Sequence, residues 1–219
     1  MKTLIGIPAM DFVSTSFMTC LTGLEPVDDT TLHVVQSSLI YDARNDIAKH
    51  AVEQGYDRIL WLDSDVTFPP DLLERLSARM DEGYEFVSGL YFSRKEPIRP
   101  VIYQRVELVD KDGKKMPVVD NFAEYPKDDI FRIAACGFGC VMMTVDLVRR
   151  IFEAHGAPFS PLPGFGEDLS FCIRAHNVGA EMYCDSSIKL GHVGQSIITE
   201  SVYEKTQRGA ENAEQDDAQ

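Results

Sequence analysis

The sequence has little positive charge and no long hydrophobic run. Its 219 residues include 21 Lys and Arg against 35 Asp and Glu, which gives a formal net charge of −14 at pH 7. A surface with this balance repels phosphate backbones and anionic lipids, so generic nucleic-acid or polybasic membrane binding is not expected. An anionic substrate would need a cation between itself and the protein. No segment approaches the ~20 apolar residues that span a bilayer, so no membrane span is expected.

Signals for disulfides and export are also missing. The five cysteines are an odd number without Cys-X-X-Cys spacing, and four of them lie among Val, Met, Phe and Tyr, as buried thiols do. Pro8 and Asp11 interrupt the apolar start before a signal-peptide core is reached. These absences predict a reducing compartment and a cytoplasmic location.

The composition is that of a folded globular protein. Hydrophobic residues make up 44% and charged residues 26% of the chain. The sequence shows no internal repeat and no clear linker, so we predict one domain over residues 1–205. Residues 206–219 are polar and acidic and are predicted to be a disordered tail.

Hydrophobic periodicity alternates between strand and helix in the first half of the chain. Residues 3–9 and 32–39 form apolar strand-like runs, and residues 58–65 form a third strand with acids at its carboxyl end. Residues 42–54 predict a helix, with Asp42 as a cap and Gly55 after its end, and residues 69–80 predict another that begins with prolines. Such alternation predicts a Rossmann-like α/β domain with a mainly parallel sheet, whose ligands bind beyond the carboxyl ends of the strands.

The second half adds antiparallel character. Residues 101–115 predict a hairpin with Asp112-Gly113 in its turn. The remaining expectations are a strand at 86–92, two strand-like pieces at 131–145, a helix from Asp146 to near Gly156, a helix at 166–178, a strand at 180–188 and a loop at 190–194.

Two carboxylates follow a buried strand at Asp63-Ser64-Asp65. Acids in this position are costly unless they meet a cation, and hard oxygen ligands suit Mg²⁺ or Mn²⁺. The alternative is that Asp63 caps the next helix and Asp65 faces the solvent.

A second acidic pair, Glu167-Asp168, follows a glycine-rich loop. One of these carboxylates could act as a general base on an attacking hydroxyl, or both could simply stabilise a helix start. His192 lies between two glycines just after the last predicted strand, where it could complete the ligands of a cation or remain an exposed loop residue. The other four histidines are predicted to be structural.

Three further elements are candidates for substrate contacts. Arg44-Asn45 lies at a predicted helix start, where the guanidinium could pair with a phosphate or with Asp63 or Asp65, or be solvated. Arg94 and Lys95 are additional cationic candidates. The segment 137–139, Gly-Phe-Gly, could bring backbone close to a substrate or form a bulge between strands.

The order of these motifs resembles the GT-A-type nucleotide-sugar glycosyltransferases, particularly compact family 2-like members. The motifs are IPA, ARN, LWLDSDVTF, GFG, GEDLSF and LGHVG, within residues 3 to 195. The resemblance implies a GT-A-like fold, Mn²⁺ or Mg²⁺ as cofactor and a nucleoside diphosphate sugar as donor. It implies these roles: metal ligands Asp63, Asp65 and His192; donor contacts Pro8, Ala9, Arg44, Asn45, Asp63, Ser64 and Asp65; base or acceptor contact Asp168, beside Glu167; acceptor contacts Gly137, Phe138 and Gly139.

The sequence also departs from the family pattern. The segment 10–17, MDFVSTSF, is unusual, and no acidic base-reading residue ends the second strand, so the donor nucleotide stays open between UDP and GDP. Asp63-Ser64-Asp65-Val66-Thr67 also fits the DxDxT pattern of haloacid-dehalogenase-like phosphatases, in which the first Asp is the nucleophile. Nucleotidyl transfer and a non-catalytic sugar-nucleotide or carbohydrate-binding module are further alternatives.

Overall fold

The computed structural model describes residues 1–94, 96–111 and 114–194. The strands are β1 (Thr3–Ala9), β2 (Thr30–Gln36), β3 (Arg58–Leu62), β4 (Val66–Thr67), β5 (Phe86–Leu90), β6 (Ile102–Lys111), β7 (Lys114–Asn121), β8 (Ile130–Ile133), β9 (Ala135–Cys136), β10 (Cys140–Thr144), β11 (Met182–Lys189) and β12 (Gly191–His192). The helices are α1 (Thr15–Thr22), α2 (Ile40–Glu53), α3 (Leu72–Asp81), α4 (Val145–His155) and α5 (Glu167–Asn177).

A seven-stranded sheet organises the molecule, with strand order β2-β1-β3-β10-β5-β11-β8. Strand β1 is parallel to β2 and β3, and β5 is parallel to β11, whereas β10 and β8 run antiparallel to their neighbours. The sheet is therefore mainly parallel, as predicted. Strands β7, β6 and β9 form a small antiparallel sheet, and β4 pairs with β12.

Apolar side chains pack on both faces of the sheet. Helices α2, α4 and α5 cover one face with residues such as Ile47, Val148 and Phe171. Helices α1 and α3 cover the other face with Phe17 and Leu72. All seven residues of β1 are buried, which explains why this strand reads as a continuous apolar run.

The predicted elements are present, with shifted bounds. Strand β1 has the bounds predicted for it, whereas β2 ends three residues earlier than predicted and α2 begins two residues earlier. The predicted cap at Asp42 is wrong, since Leu39 occupies the N-cap position and Asp42 lies in the first turn. Asp112-Gly113 and the predicted tail at 206–219 lie outside the described residues, and the domain boundary at 205 stays a prediction.

Two predictions for the second half need correction. Residues 131–145 contain parts of three strands rather than two, because β8 pairs with β11, β9 with β6, and β10 with β3 and β5. The predicted loop at 190–194 contains β12, in which Gly191 and His192 pair with Thr67 and Val66. This short ladder brings His192 beside the segment that follows Asp65.

Candidate active site

A cavity of about 800 Å³ opens beyond the carboxyl ends of β1 and β3. Its lining divides into two kinds of surface. One part is mainly apolar and includes Pro8, Met10, Phe12, Val13 and Ile40. The other is charged and includes Arg44, Asp63, Asp65, Arg94 and Glu167. The position is the one at which α/β sheets commonly bind their ligands.

Arg44 and Asp63 form an ion pair at the base of the cavity, here called the inner pair. Arg44 Nη2 donates a 2.8 Å hydrogen bond to Asp63 Oδ1. The Arg44 side chain is only 3% exposed, and the Asp63 side chain is 28% exposed. Sequence analysis predicted this pairing as one option for Arg44, but it gave no sign that the guanidinium would be buried.

Aromatic rings surround the Arg44 guanidinium. Its Cζ lies 5.2 Å from the ring centre of Phe138, 5.8 Å from that of Phe159 and 6.0 Å from that of Trp61. Arg44 Nε lies 3.6 Å from Glu167 Oε1, which is an ion-pair distance but too long for a hydrogen bond. Among the described residues, Nε and Nη1 have no hydrogen-bond acceptor. Aromatic rings and the Asp63 and Glu167 carboxylates therefore surround the Arg44 charge.

The environment of the inner pair shifts the pKa of Asp63. Burial raises the pKa of its carboxyl group above the ordinary value, and the Asp65 and Glu167 carboxylates raise it further. The Arg44 guanidinium opposes this shift. Arg44 thus helps to keep a negative charge on a carboxylate that its surroundings disfavour.

Asp65 and Arg94 form a second ion pair at the rim of the cavity, here called the outer pair. Arg94 Nη1 contacts Asp65 Oδ2, and the two side chains are 48% and 29% exposed. His192 Nε2 lies 3.6 Å from the same oxygen. The Val193 N–H donates a 2.7 Å hydrogen bond to the Asp65 carbonyl, and this bond extends the contact made by β12.

A backbone carbonyl orients the His192 imidazole. Nδ1 of the ring lies 2.9 Å from the Phe92 carbonyl oxygen. Because a carbonyl can only accept, Nδ1 must carry the hydrogen, and in the neutral ring Nε2 then has a free lone pair. That lone pair is on the nitrogen nearest Asp65. This arrangement, with one ring nitrogen held and the other available, is typical of histidines that bind metal ions.

The acids Glu167 and Asp168 lie in the first turn of α5, after Gly166 at the N-cap. Glu167 lines the cavity and faces Arg44. The Asp168 carboxylate accepts a 2.7 Å hydrogen bond from the Leu169 N–H. Burial, followed by the Glu167 charge, raises the pKa of Asp168 from 3.8 to about 6. A carboxylate with this pKa can accept a proton efficiently near neutral pH.

A match to a family model assigns this chain to a family. The model of glycosyl transferase family 2 matches residues 33–152, which are more than half of the chain. The chain belongs to glycosyl transferase family 2. This membership confirms the resemblance found in the motifs, and it favours glycosyl transfer over the phosphatase alternative. The comparison with curated proteins gave no match.

Solved structures confirm the GT-A-like fold of this glycosyltransferase. A197 from STIV is 20% identical, with a TM-score of 0.62, and the match covers 89% of this chain and 87% of that protein. GalNAc-T7, solved with UDP, GalNAc and Mn²⁺, is 12% identical, with a TM-score of 0.60. That match covers 89% of this chain but 43% of GalNAc-T7, so the chain spans less than half of that neighbour's length.

Among the described residues, Asp65 and His192 are the two predicted metal ligands that approach each other at the rim. Within 1–94, 96–111 and 114–194, no group of three or more His, Cys, Asp or Glu residues is arranged as a metal site. The predicted set of three is therefore not assembled: Asp65 and His192 approach each other, whereas an oxygen of Asp63 is held by Arg44. One carboxylate and one oriented imidazole would leave positions for water and phosphate oxygens, which Mg²⁺ and Mn²⁺ accept.

The other predicted donor contacts have different environments. Pro8 and Ser64 line the cavity. Ala9 is buried at the end of β1, and its carbonyl accepts a hydrogen bond from the Ser37 N–H. Asn45 Oδ1 accepts a 2.9 Å hydrogen bond from the Phe159 N–H and so holds the loop before α5. Neither Ala9 nor Asn45 is among the residues that line the cavity.

The Gly137-Phe138-Gly139 segment lies beneath the cavity instead of lining it. The Gly139 N–H donates a 3.2 Å hydrogen bond to Tyr91 Oη, and the Gly139 carbonyl accepts a 3.1 Å bond from the Asp63 N–H. A Cβ atom on Gly137 would lie 2.1 Å from Tyr91 Oη. Phe138 is 1% exposed and packs against the aromatic rings below Arg44. In this structure the glycines make room for Tyr91, none of the three residues is among those that line the cavity, and their contact with an acceptor stays a prediction.

Sequence analysis missed several residues at the site. Met10, Phe12 and Val13 line the cavity and come from segment 10–17, and the departure of that segment from the family pattern was the available signal. The Phe92 carbonyl has no signal in the sequence, because any residue could supply it.

Lys95, a predicted cationic candidate, lies outside the described residues. In the described part of the chain, no helix is long and apolar enough to cross a membrane.

Proposed function

We propose that this chain transfers a hexose from a nucleoside diphosphate sugar, with UDP or GDP as the nucleotide, to an acceptor hydroxyl. The observation that carries this proposal is the cluster at the cavity: the inner pair, the oriented His192 beside Asp65, and the acidic start of α5. The cavity of about 800 Å³ is large enough for a nucleotide sugar. Family membership and the Mn²⁺ and UDP present in the GalNAc-T7 structure support the same function.

Asp65 and His192 would hold Mn²⁺ or Mg²⁺ at the rim. When bound, the cation supplies positive charge that stabilises the departing diphosphate. This role also explains how a protein with a net charge of −14 can bind an anionic donor. The apolar part of the cavity, with Met10, Phe12 and Val13, suits the nucleoside end of the donor.

For an inverting transfer, Asp168, which lies next to the cavity-lining Glu167 in the first turn of α5, is the proposed general base. The acceptor oxygen forms a bond to the anomeric carbon, the bond between that carbon and the diphosphate oxygen breaks, and the electron pair leaves with the diphosphate. The proton of the acceptor hydroxyl passes to the Asp168 carboxylate. Glu167 stays paired with Arg44, which keeps the start of α5 close to β3.

A thermal-shift panel tests donor binding. UDP-, GDP- and dTDP-sugars are added with and without Mn²⁺, and one donor is expected to raise the melting temperature in the presence of the metal. A ligand at 100 times its Kd stabilises the folded state by about 2.7 kcal/mol. Donor hydrolysis without acceptor then measures turnover.

Two substitutions distinguish an effect at the proposed site from a general effect of removing one negative charge. Asp65→Asn should abolish turnover and its dependence on metal. Asp46→Asn makes the same change at an exposed position on α2 and should leave both unchanged. Full turnover in excess EDTA would show that the metal assignment is wrong, and no shift with any donor would contradict the transferase proposal.

A further inference from the structure

Arg94 contacts the oxygen that a metal ion at the rim would need. Arg94 Nη1 contacts Asp65 Oδ2, and His192 Nε2 lies 3.6 Å from the same oxygen. A divalent cation bound between Asp65 and His192 would therefore meet the positive charge of Arg94. Two cations repel each other at such short range, so the metal and the guanidinium compete for one carboxylate.

The outer pair is suited to such an exchange. The Arg94 side chain is 48% exposed, and its other hydrogen bond is a 3.3 Å contact from Nη1 to the Val193 carbonyl. Exposed ion pairs of this kind contribute little to stability. The Arg44 side chain, by contrast, is 3% exposed and surrounded by rings. Of the two arginines, Arg94 is therefore the one that can change partners at low cost.

The cavity offers Arg94 a second partner once a donor is bound. Arg94 lines the cavity, and a guanidinium can bind phosphate oxygens through two parallel hydrogen bonds. Arg44 also lines the cavity, but its Nε and Nη1 atoms are buried and its Nη2 is held by Asp63. Of the cavity-lining side chains that the structure describes, Arg94 is thus the cation best placed to reach a diphosphate.

We propose that Arg94 exchanges partners during donor binding. Without ligands it neutralises Asp65; when a divalent cation binds Asp65 and His192, Arg94 is displaced and pairs with the diphosphate of the donor. The cation and the nucleotide then favour the same state of Arg94, so each increases the affinity for the other. This inference rests on the proposed function, because it takes the cation and the diphosphate from it.

Calorimetric titrations of the full chain test the exchange through binding, and sugar transfer is assayed separately. Mn²⁺ is titrated alone, and UDP is titrated with and without Mn²⁺, into the parent chain, Arg94→Met and Arg99→Met. Methionine keeps an apolar stem without the charge, and Arg99 is an exposed arginine in the segment between β5 and β6.

Arg94→Met should bind Mn²⁺ alone at least about fivefold more tightly, because the competing cation is gone. It should bind UDP at least about fivefold more weakly when Mn²⁺ is present, because the partner of the diphosphate is gone. Arg99→Met should stay within about twofold of the parent chain in both titrations.

Several results would overturn the exchange. Mn²⁺ affinity that is unchanged or weaker in Arg94→Met would show that Arg94 does not compete with the metal. Tighter Mn²⁺ binding with unchanged UDP binding would show that Arg94 does not move to the diphosphate. If none of the three chains binds Mn²⁺ but sugar transfer proceeds, the exchange is wrong and the transferase function stands. If the titrations follow expectation but no donor is turned over, the proposed function fails instead.

Discussion

The inner and outer pairs join the same two residue types but place the arginine in opposite environments. Asp63 and Asp65 are separated by one residue, and each contacts an arginine. The arginine of the inner pair is buried over aromatic rings, whereas the arginine of the outer pair is half exposed. The comparison teaches that a carboxylate held by a buried partner is fixed before ligands arrive, while one held by an exposed partner can exchange it.

The first prediction separates the two pairs by stability. Arg44→Met removes a buried guanidinium and leaves the partly exposed Asp63 carboxylate without its partner, so it should lower the free energy of unfolding by about 1 to 3 kcal/mol. Arg94→Met should lower it by less than about 1 kcal/mol, because water and salt replace an exposed partner. Urea denaturation of both variants measures the difference. Equal losses in the two variants would mean that the pairs do not differ as described.

A second prediction concerns Asp168, in the first turn of α5 beside the inner pair. The folded pKa of Asp168, about 6, is higher than its ordinary value of 3.8, so the folded chain binds the proton more tightly than the unfolded chain does. Stability from this group is therefore present at low pH and is lost as the pH rises from about 4 to above 6. Asp168→Asn should stabilise the protein at pH 7.5 by up to about 3 kcal/mol.

Unfolding at two pH values and a pH–rate profile check this prediction. The stabilisation by Asp168→Asn should shrink at pH 4, where the native carboxyl group is already protonated. Sugar transfer by the parent chain should fall as the pH drops below about 6, since the base must be ionised. A variant that transfers sugar at the parent rate would contradict the role of Asp168 as base.

A third prediction compares the glycines behind each pair. A Cβ atom on Gly139 would lie 2.8 Å from Tyr91 Cζ, whose ring is buried, so Gly139→Ala should cost about 1 to 3 kcal/mol. A Cβ atom on Gly194 would lie 3.2 Å from Arg94 Cβ, whose side chain is half exposed. Gly194→Ala should therefore stay within about 0.5 kcal/mol of the parent chain. Thermal unfolding compares the stability of the two variants. A larger loss of stability in Gly194→Ala than in Gly139→Ala would contradict the description of the inner pair as the more rigid of the two.

Much of the fold could be predicted because long elements carry a periodic pattern. Strand β1 and helix α4 show it well: β1 is buried along its whole length, and α4 buries Val145, Leu147, Val148 and Ile151 on one side. The pairing of β4 with β12 could not be predicted, because two-residue strands have no period. The split of residues 131–145 into three strands depends on partners far away in the sequence.

The candidate site was predicted by residue type more than by contact. The motifs placed Asp63, Asp65 and His192 at strand ends, and the structure brings His192 to Asp65. The burial of Arg44 depends on Trp61, Phe138 and Phe159, which come from separate elements and meet only in the folded chain. The contact between Arg94 and Asp65 likewise depends on the path of the chain after β5.

The pairing of β4 with β12 has a consequence for how the protein reaches its working state. It joins residues that follow β3 to residues near the end of the described chain, and contacts so distant in sequence are slow to form because a long loop must close first. The pairing of β11 with β5 in the central sheet spans a similar distance along the chain, and β12 follows β11 directly, so the edge of the sheet and the rim depend on the same late closure. Nucleotide binding, which needs the rim, is therefore a direct measure of complete refolding.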